Sequence, residues 1–230
     1  MYCLSFDIDW ASDEVIQYSI EKVIEAELKA TIFATHDSKF LRFLEDKYPS
    51  QIEIALHPNY MKFLNKNQFN WEFEIKNLKQ IYPSSIGVRS HGHFVSSQLL
   101  EHYIDLNMKY ESGIYSDNFP LLSSLPYKNN FVRFSHFFQD DAHLIRKRSM
   151  DLNQIKLKLK GIKIFDFHPI HIFLNTPSIK YYESKKKYYH NFNCLKKSVY
   201  SGKGICDLFL ELIQFLKLNK KNVIRLKDLI

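Results

Sequence analysis

Hydrophobic and polar positions alternate along the first half of the chain in a way that predicts strands and helices in turn. Four apolar runs are short and rich in β-branched or aromatic residues, as is typical of buried strands: 2–6, 30–35, 52–56 and 86–88. Between them, apolar residues recur at helical spacing in 15–28, 40–45 and 71–82. This repeated strand–helix order predicts an α/β fold with a barrel-like parallel sheet.

The second half of the chain is less regular. Its pattern predicts strands over 131–134 and 163–167, an amphipathic helix over 206–218 and a last strand over 222–226. The segment 180–203 is polar, aromatic and basic, which predicts a long loop or a mobile lid. Because no linker or internal repeat interrupts the chain, we expect one domain over residues 1–230, long enough to bury a core.

Polar side chains follow the predicted strands at the point where each strand ends. They are Asp7, Asp9, His36, Asp37, His57, Arg89, His91, His93, His168 and His171. Because the carboxyl ends of parallel strands meet at one edge, we expect these residues to gather there. Mixed carboxylate and imidazole donors suit a divalent ion such as zinc, cobalt or nickel. Taken singly, each residue could instead cap a helix, pack against the core or face solvent, and capping is the expected role of Asp37.

The net charge bears on the choice of partner. Lys and Arg outnumber Asp and Glu by 32 to 25, which gives a formal net charge of +7. This excess favours anionic partners such as sugar nucleotides, lipid pyrophosphates or an anionic membrane surface, although a lysine-biased composition explains it at least as well. No recognised nucleic-acid-binding motif accompanies the charge, so we do not expect nucleic acid as a partner.

The cysteines and the apolar runs bear on the compartment. Cys3, Cys194 and Cys206 have no metal-binding spacing, and they predict free thiols in a reducing environment. The first residues have no basic region typical of a signal peptide, and no apolar run approaches the ~20 residues that span a bilayer. We therefore expect a cytoplasmic protein.

Five stretches of the chain, in order, resemble the polysaccharide deacetylases of the NodB-homology type (carbohydrate esterase family 4), and most closely their WbmS-like branch. The stretches are 5–10, 30–33, 54–59, 87–91 and 167–176. The resemblance implies a distorted (β/α) barrel. It also implies metal-dependent removal of an N-acetyl or O-acetyl group from a sugar, with zinc as the first expectation and cobalt or nickel as alternatives.

Residue roles follow from this resemblance by position. Asp7 resembles the general base that activates the attacking water, and Arg89 resembles the arginine that holds this base through an ion pair. Asp9 and His57 resemble two metal ligands of the family. His168 resembles the histidine that protonates the leaving amine.

The chain departs from the family pattern at two motifs. Met61 stands where most members have a second histidine ligand, and His91 stands where the third motif usually has a proline. We infer that His91 supplies the missing metal ligand, with His93 as the alternative. The fourth motif, usually an aspartate and a tryptophan, is only loosely matched by Asp140 and Asp141.

Four residues are candidates for substrate binding, each with a structural alternative. Trp10 could stack on a sugar ring or simply be a half-buried tryptophan. His93 could face the substrate if it is not a ligand, and His171 could orient His168, contact substrate or pack. Asn175 could bind a sugar hydroxyl or make a turn before Pro177.

The function expected from these observations is deacetylation of a nucleotide-linked or lipid-linked sugar in surface polysaccharide or lipopolysaccharide biosynthesis. The lysine-rich segment could also make peripheral contact with an anionic membrane. Two alternatives remain. The altered metal motif suits a catalytically inactive carbohydrate-binding or scaffold protein of polysaccharide assembly, and the same barrel edge could serve a metal-dependent hydrolase of another C–N bond.

Overall fold

Parallel strands alternate with helices in the computed structural model, which describes residues 1–63 and 71–230. The strands are β1 (Tyr2–Asp7), β2 (Ala30–Ala34), β3 (Ile52–Leu56), β4 (Gly87–Val88), β5 (Tyr110–Tyr115), β6 (Leu125–Lys128), β7 (Phe131–His136), β8 (Phe138–Gln139) and β9 (Lys163–Phe167). The helices are α1 (Asp13–Glu25), α2 (Lys39–Lys47), α3 (Trp71–Ile81), α4 (Ser97–Asp105), α5 (Asp140–Ile145), α6 (Pro169–Phe173), α7 (Ile179–Lys185), α8 (Phe192–Lys196) and α9 (Ile205–Leu218). The predicted α/β class is confirmed.

The sheet closes into a distorted barrel. Its strand order is β6-β7-β5-β4-β3-β2-β1-β9-β8, and every pair is parallel except β6 with β7. β7 pairs with β5 at one end of this order, and β8 pairs with β9 at the other. Only Phe137 separates β7 from β8, and its N–H donates to the carbonyl of Ile164 at 2.8 Å. One continuous segment therefore joins the two ends of the sheet.

The two faces of the strands bury different clusters. In β1, Leu4 and Phe6 face the helices together with the buried stripe of α1, which includes Val15 and Ile20. Cys3 lies on the other face, in a smaller cluster that fills the barrel interior with Phe33, Ala55, Tyr110, Phe134, Ile162, Ile164 and Leu226. Because side chains alternate along a strand, Asp7 has the same orientation as Cys3, and its carboxylate emerges at the carboxyl end of the interior.

Two predicted elements of the second half are wrong. The segment 180–203 is partly helical, because it contains most of α7 and all of α8. Both helices are capped by side chains: Ser178 accepts the N–H of Tyr181, and Asn191 accepts the N–H of Cys194. The predicted last strand over 222–226 is a single bridge between Val223 and Tyr2, followed by a short 3-10 helix over Leu226–Leu229.

The cap of α2, the cysteines and the lengths of the helices bear on three local predictions. Asp37 does not cap α2, because Ser38 accepts the N–H of Leu41 and Asp37 pairs with Arg42. The three cysteines are free, as predicted, and Cys3 and Cys206 are buried. Within residues 1–63 and 71–230, no helix is long and apolar enough to cross a membrane.

Candidate active site

The carboxyl ends of the strands bring the predicted residues to one edge of the barrel. Asp7 ends β1, and Asp9 lies in the turn that follows it. His57 comes directly after β3, Arg89 directly after β4, and His168 directly after β9. These five residues were separated by up to 161 positions in the sequence, and the barrel topology alone makes them neighbours.

Asp9, His57 and His91 form a cluster that could hold a metal ion. Oδ1 of Asp9 lies 3.3 Å from Nε2 of His57 and 3.1 Å from Nδ1 of His91, and one donor atom from each residue lies within 4.8 Å of the others. Two donors bound at 2.0–2.1 Å around a tetrahedral zinc ion lie roughly 3.3–3.4 Å apart. One carboxylate and two imidazoles with this spacing fit a divalent ion with an open coordination position.

The surrounding charges favour the ionised form of Asp9, which binds a metal, and the protonated form of His91, which does not. Burial acts to raise the pKa of Asp9, but hydrogen bonds to His57 and His91 and the charge of His168 hold this pKa well below its usual range. Burial alone would lower the pKa of His91, and the hydrogen bond and charge of Asp9 raise it instead. A proton therefore competes with a metal ion for His91.

Arg89 holds the carboxylate of Asp7 from the barrel interior. Its Nη1 donates to Oδ1 of Asp7 at 2.8 Å, its Nε donates to the carbonyl of Ser112 at 2.6 Å, and its side chain is fully buried. Burial acts to raise the pKa of Asp7, but Arg89, His57 and His168 together keep it lowered. Asp7 is therefore an ionised carboxylate 3.7 Å from Nε2 of His57, at the edge of the Asp9–His57–His91 cluster.

Asp166 is a second carboxylate on the same arginine, which the sequence patterns did not indicate. Its Oδ1 accepts hydrogen bonds from Nη1 of Arg89 and from the hydroxyl of Ser5, and the residue is fully buried. Burial and the neighbouring charge of Asp7 raise the pKa of Asp166 well above its usual range despite Arg89. The position could have been noticed as a carboxylate between two phenylalanines of the buried strand β9, since such a charge needs a partner.

His168 lies between carboxylates. Its Nδ1 lies 2.6 Å from Oδ1 of Asp140, and its Nε2 lies 3.5 Å from Oδ2 of Asp9 and 3.7 Å from Oδ2 of Asp141. Burial alone would lower the pKa of His168, but Asp140 and Asp141 raise it well above its usual range. The loose match of Asp140 and Asp141 to the fourth motif therefore corresponds to direct contacts with His168.

His171 supports the site from outside the pocket. Its Nε2 lies 2.7 Å from Oδ1 of Asp141, its Nδ1 lies 3.1 Å from the hydroxyl of Thr176, and only 2% of the residue is exposed. Both ring nitrogens are occupied by protein groups. Of its three predicted roles, the geometry favours orientation of a neighbour, although that neighbour is Asp141 and not His168.

Asn175 lies away from the pocket. Its Nδ2 donates to the carbonyl of Gly202 at 2.8 Å and to Asp207 at 2.9 Å, and its Oδ1 accepts the N–H of Cys206 at 2.9 Å. The side chain thus organises the start of α9. These bonds favour the structural role over the predicted bond to a sugar hydroxyl, and Asn175 lines neither of the two cavities beside the cluster.

His93 is near the cluster but is not part of it. Its Nε2 lies 3.2 Å from Nε2 of Gln139, and burial lowers its pKa to about 4. Met61 lies beside Gly92, whose ideal Cβ would be 3.4 Å from Cγ of Met61. The loop that carries His91 therefore packs beside the position where most family members would have their second histidine. His91, and not His93, has a ring nitrogen grouped with the donor atoms of Asp9 and His57, which favours His91 as the third ligand.

Two neighbouring cavities adjoin the cluster. A central pocket of about 330 Å³ is lined by Asp7, His57, His93, Gln139 and His168, among others. A larger cavity of about 770 Å³, here called the aromatic groove, is lined by Trp10, Ile145, Ile179, Tyr182, Lys186 and Tyr189, among others. Asp9, His91 and Asp141 line both cavities. The two cavities therefore share part of their wall, and the predicted Trp10 lines the groove, 37% exposed.

The barrel, the Asp–His–His cluster and the flanking Asp7–Arg89 and His168–Asp140 pairs define a barrel hydrolase with a candidate metal centre. The sequence model of the WbmS-like family, described as polysaccharide deacetylase, matches residues 4–186. The chain belongs to this family of hydrolases. No curated protein matches the chain in sequence.

Solved structures with the same fold are similar over nearly the whole chain. A Bordetella bronchiseptica protein, described as a polysaccharide deacetylase involved in O-antigen biosynthesis, is 25% identical with a TM-score of 0.84, covering 93% of this chain and 90% of its own. A family 4 acetyl xylan esterase from Clostridium thermocellum, in complex with a cobalt ion, is 13% identical with a TM-score of 0.55, covering 99% and 89%. A family 4 pseudoenzyme from Bacillus anthracis is 10% identical with a TM-score of 0.52, covering 100% and 64%. The last two likenesses concern the fold alone.

Proposed function

We propose that this protein is a metal-dependent deacetylase that removes an N-acetyl or O-acetyl group from a sugar during surface polysaccharide or lipopolysaccharide biosynthesis. The observation that carries the proposal is the Asp9–His57–His91 cluster, which has the donors of a three-ligand catalytic metal site. An ionised carboxylate adjoins this cluster at Asp7 and a protonated imidazole adjoins it at His168. Hydrolysis of an amide needs a base that activates the attacking water and an acid that protonates the leaving nitrogen.

Asp7 is the proposed general base. Arg89 keeps its carboxylate ionised and fixes one of its oxygens, so the other oxygen is free to accept a proton from the attacking water. Attack by this water on the acetyl carbonyl carbon gives a tetrahedral intermediate whose oxygen carries negative charge. When bound to Asp9, His57 and His91, a divalent ion such as zinc, cobalt or nickel supplies a Lewis acid that lowers the pKa of water from 15.7 to about 7.

His168 is the proposed general acid. Asp140 holds Nδ1, which leaves Nε2 directed toward the central pocket between Asp9 and Asp141. Collapse of the tetrahedral intermediate breaks the C–N bond while Nε2 gives its proton to the departing nitrogen. The products are acetate and the free amine of the sugar; an O-acetyl substrate gives acetate and a hydroxyl by the same transfers.

The remainder of the substrate is proposed to occupy the aromatic groove. Trp10, Tyr182 and Tyr189 offer ring faces to a sugar, and Ile145 and Ile179 add apolar surface. The adjoining segment 180–203 contains seven lysines and one glutamate. Lys186 reaches the groove, where it pairs with Glu183 at 3.2 Å. These cations suit the phosphates of a nucleotide-linked or lipid-linked sugar, or an anionic membrane that carries the latter. We propose a cytoplasmic location, which the three free thiols support.

Metal content and acetate release test the proposal together. The untagged protein would be purified with His91→Ala and the matched variant His93→Ala, and each would be analysed by plasma mass spectrometry. We expect about one divalent ion per chain in the wild type and in His93→Ala, none in His91→Ala, and acetate release from acetylated sugar donors by the metal-loaded wild type. Metal lost in His93→Ala but retained in His91→Ala would identify His93, and not His91, as the third ligand. A wild type without metal and without acetate release would favour the inactive carbohydrate-binding protein.

A further inference from the structure

The turn after β1 contains two consecutive residues with left-handed backbone geometry. Asp9 has a φ of 41° and Trp10 has a φ of 59°, although neither is a glycine. Residues other than glycine disfavour the left-handed region, and they keep this conformation only where the surrounding structure imposes it. The Asp9–Trp10 turn therefore needs external support.

This turn sends two adjacent side chains to two different places. The carboxylate of Asp9 points into the metal cluster toward His57 and His91. The indole of Trp10 lines the aromatic groove and meets the His91 ring edge to face, with centroids 5.1 Å apart. If the turn relaxed, both side chains would change direction together.

Three hydrogen bonds hold the turn. The N–H of Ala11 donates to the carbonyl of Ile8 at 2.8 Å, within the turn itself. The N–H of Trp10 donates to the hydroxyl of Thr35 at 3.0 Å. The hydroxyl of Tyr189 donates to the carbonyl of Asp9 at 2.6 Å, from a position 180 residues later in the chain. The bond from Tyr189 is the shortest of the three, and it fixes the peptide group of the proposed metal ligand.

We propose that Tyr189 is a positioning residue: its hydroxyl holds the left-handed Asp9–Trp10 turn, and so aims the Asp9 carboxylate at the metal cluster and the Trp10 ring at the aromatic groove. Tyr189 also lines that groove. One side chain therefore borders the proposed substrate site and supports the proposed metal ligand. The consequence for the metal rests on the proposed function, whereas the support of the turn does not.

The test compares Tyr189→Phe with Tyr181→Phe. Tyr181 is a matched control because its hydroxyl also donates to a backbone carbonyl, that of Ser198 at 2.5 Å, in the same part of the chain. Both variants keep the ring, and their circular dichroism and melting temperature establish that they fold. Trp71→Phe is introduced in every protein, so that Trp10 is the only source of tryptophan fluorescence.

Two readouts decide the role of Tyr189. In metal-free protein, we expect acrylamide to quench Trp10 more strongly in Tyr189→Phe than in the parent, because the turn is loosened, with no change in Tyr181→Phe. In chelator competition with cobalt, we expect Tyr189→Phe to bind about 10- to 100-fold more weakly, as is typical when a group that orients a ligand is removed. The Co²⁺ absorption spectrum should also change.

Other results would contradict the role of Tyr189 or the proposed function. Unchanged quenching of Trp10 in Tyr189→Phe overturns the proposal, and a loosened turn with unchanged cobalt affinity overturns its link to Asp9. If the parent protein binds no metal, the proposed function fails, but the quenching of Trp10 still decides whether Tyr189 holds the turn.

Discussion

Asp140 fixes His168 through both of its carboxylate oxygens. Oδ1 lies 2.6 Å from Nδ1 of the His168 ring, and Oδ2 accepts the backbone N–H of His168 at 2.7 Å. With Nδ1 turned to Asp140, Nε2 is the nitrogen that faces the pocket. Because Asp140 and Asp141 raise the pKa of His168 well above its usual range against the effect of burial, the ring is a cation at neutral pH. A general acid needs this protonation state.

Asp140→Asn should reduce turnover without removing the metal. The amide keeps the size of the side chain but loses the negative charge that stabilises the His168 cation. We expect kcat to fall about 10²- to 10⁴-fold, the range for loss of general acid–base catalysis, and the alkaline limb of the kcat–pH profile to move to lower pH.

Asp151→Asn is the matched control for this prediction. Asp151 also accepts a backbone N–H, that of Asn153 at 3.0 Å, and it lines neither the central pocket nor the aromatic groove. It should keep the wild-type profile. An alkaline limb that stays in place in Asp140→Asn would mean that His168 is not the group that titrates there.

Asp7→Asn should separate catalysis from metal binding. The amide cannot accept the proton of the attacking water, so we expect turnover to fall about 10²- to 10⁴-fold while the metal stays bound. Asp9→Ala and His57→Ala should instead lose the metal, because each removes a donor of the cluster. Metal analysis and acetate release on the same preparations distinguish the two effects. Full activity in Asp7→Asn would show that the base is another residue.

The strand ends could be predicted from the sequence because their signal is local. A short apolar run that ends on a histidine or carboxylate identifies a position at the carboxyl edge of a parallel sheet. Asp9, His57 and His91 each follow such a run, and the structure brings them together. The order of the strands was not needed for this prediction, since every parallel strand ends at the same edge.

The residues that were missed depend on contacts between distant segments. Asp166 lies inside an apolar strand, and nothing local indicates that its partner is Arg89, 77 positions earlier. Tyr189 lies in a lysine- and tyrosine-rich segment whose sequence predicts a loop. Its helices are short and depend on the caps at Ser178 and Asn191, so helical periodicity has too few turns to be visible there.

The acid and alkaline limbs of the activity–pH profile should respond differently to metal concentration. Protons compete with the metal for His91, whose pKa is raised by Asp9 in the metal-free protein, so metal affinity falls as the pH drops through that pKa. Excess zinc or cobalt should therefore move the acid limb to lower pH. The alkaline limb reports the loss of the His168 proton, and it should not depend on metal concentration once the site is filled.

Profiles of kcat/KM at two metal concentrations, ten-fold apart, check this prediction. Protonation of Asp7 has little part in the acid limb, because the pKa of its carboxyl is lowered by Arg89 and the neighbouring histidines despite burial. An acid limb that does not respond to metal would contradict the assignment of His91 as a ligand. An alkaline limb that follows the metal concentration would contradict the assignment of His168 as the acid.

Asn175→Ala should destabilise the fold and leave the kinetics of the remaining folded protein unchanged. The amide joins the loop around Gly202 to the first turn of α9, where it accepts the N–H of Cys206. Loss of such a capping side chain costs about 0.5–2 kcal/mol, and the φ of 48° at this position favours asparagine over alanine. Urea unfolding should show the loss, whereas Asn193→Ala, at an exposed position of α8, should not. Wild-type stability with a raised KM would instead restore Asn175 as a sugar contact, because a side chain that only organises α9 has no means of changing affinity for substrate.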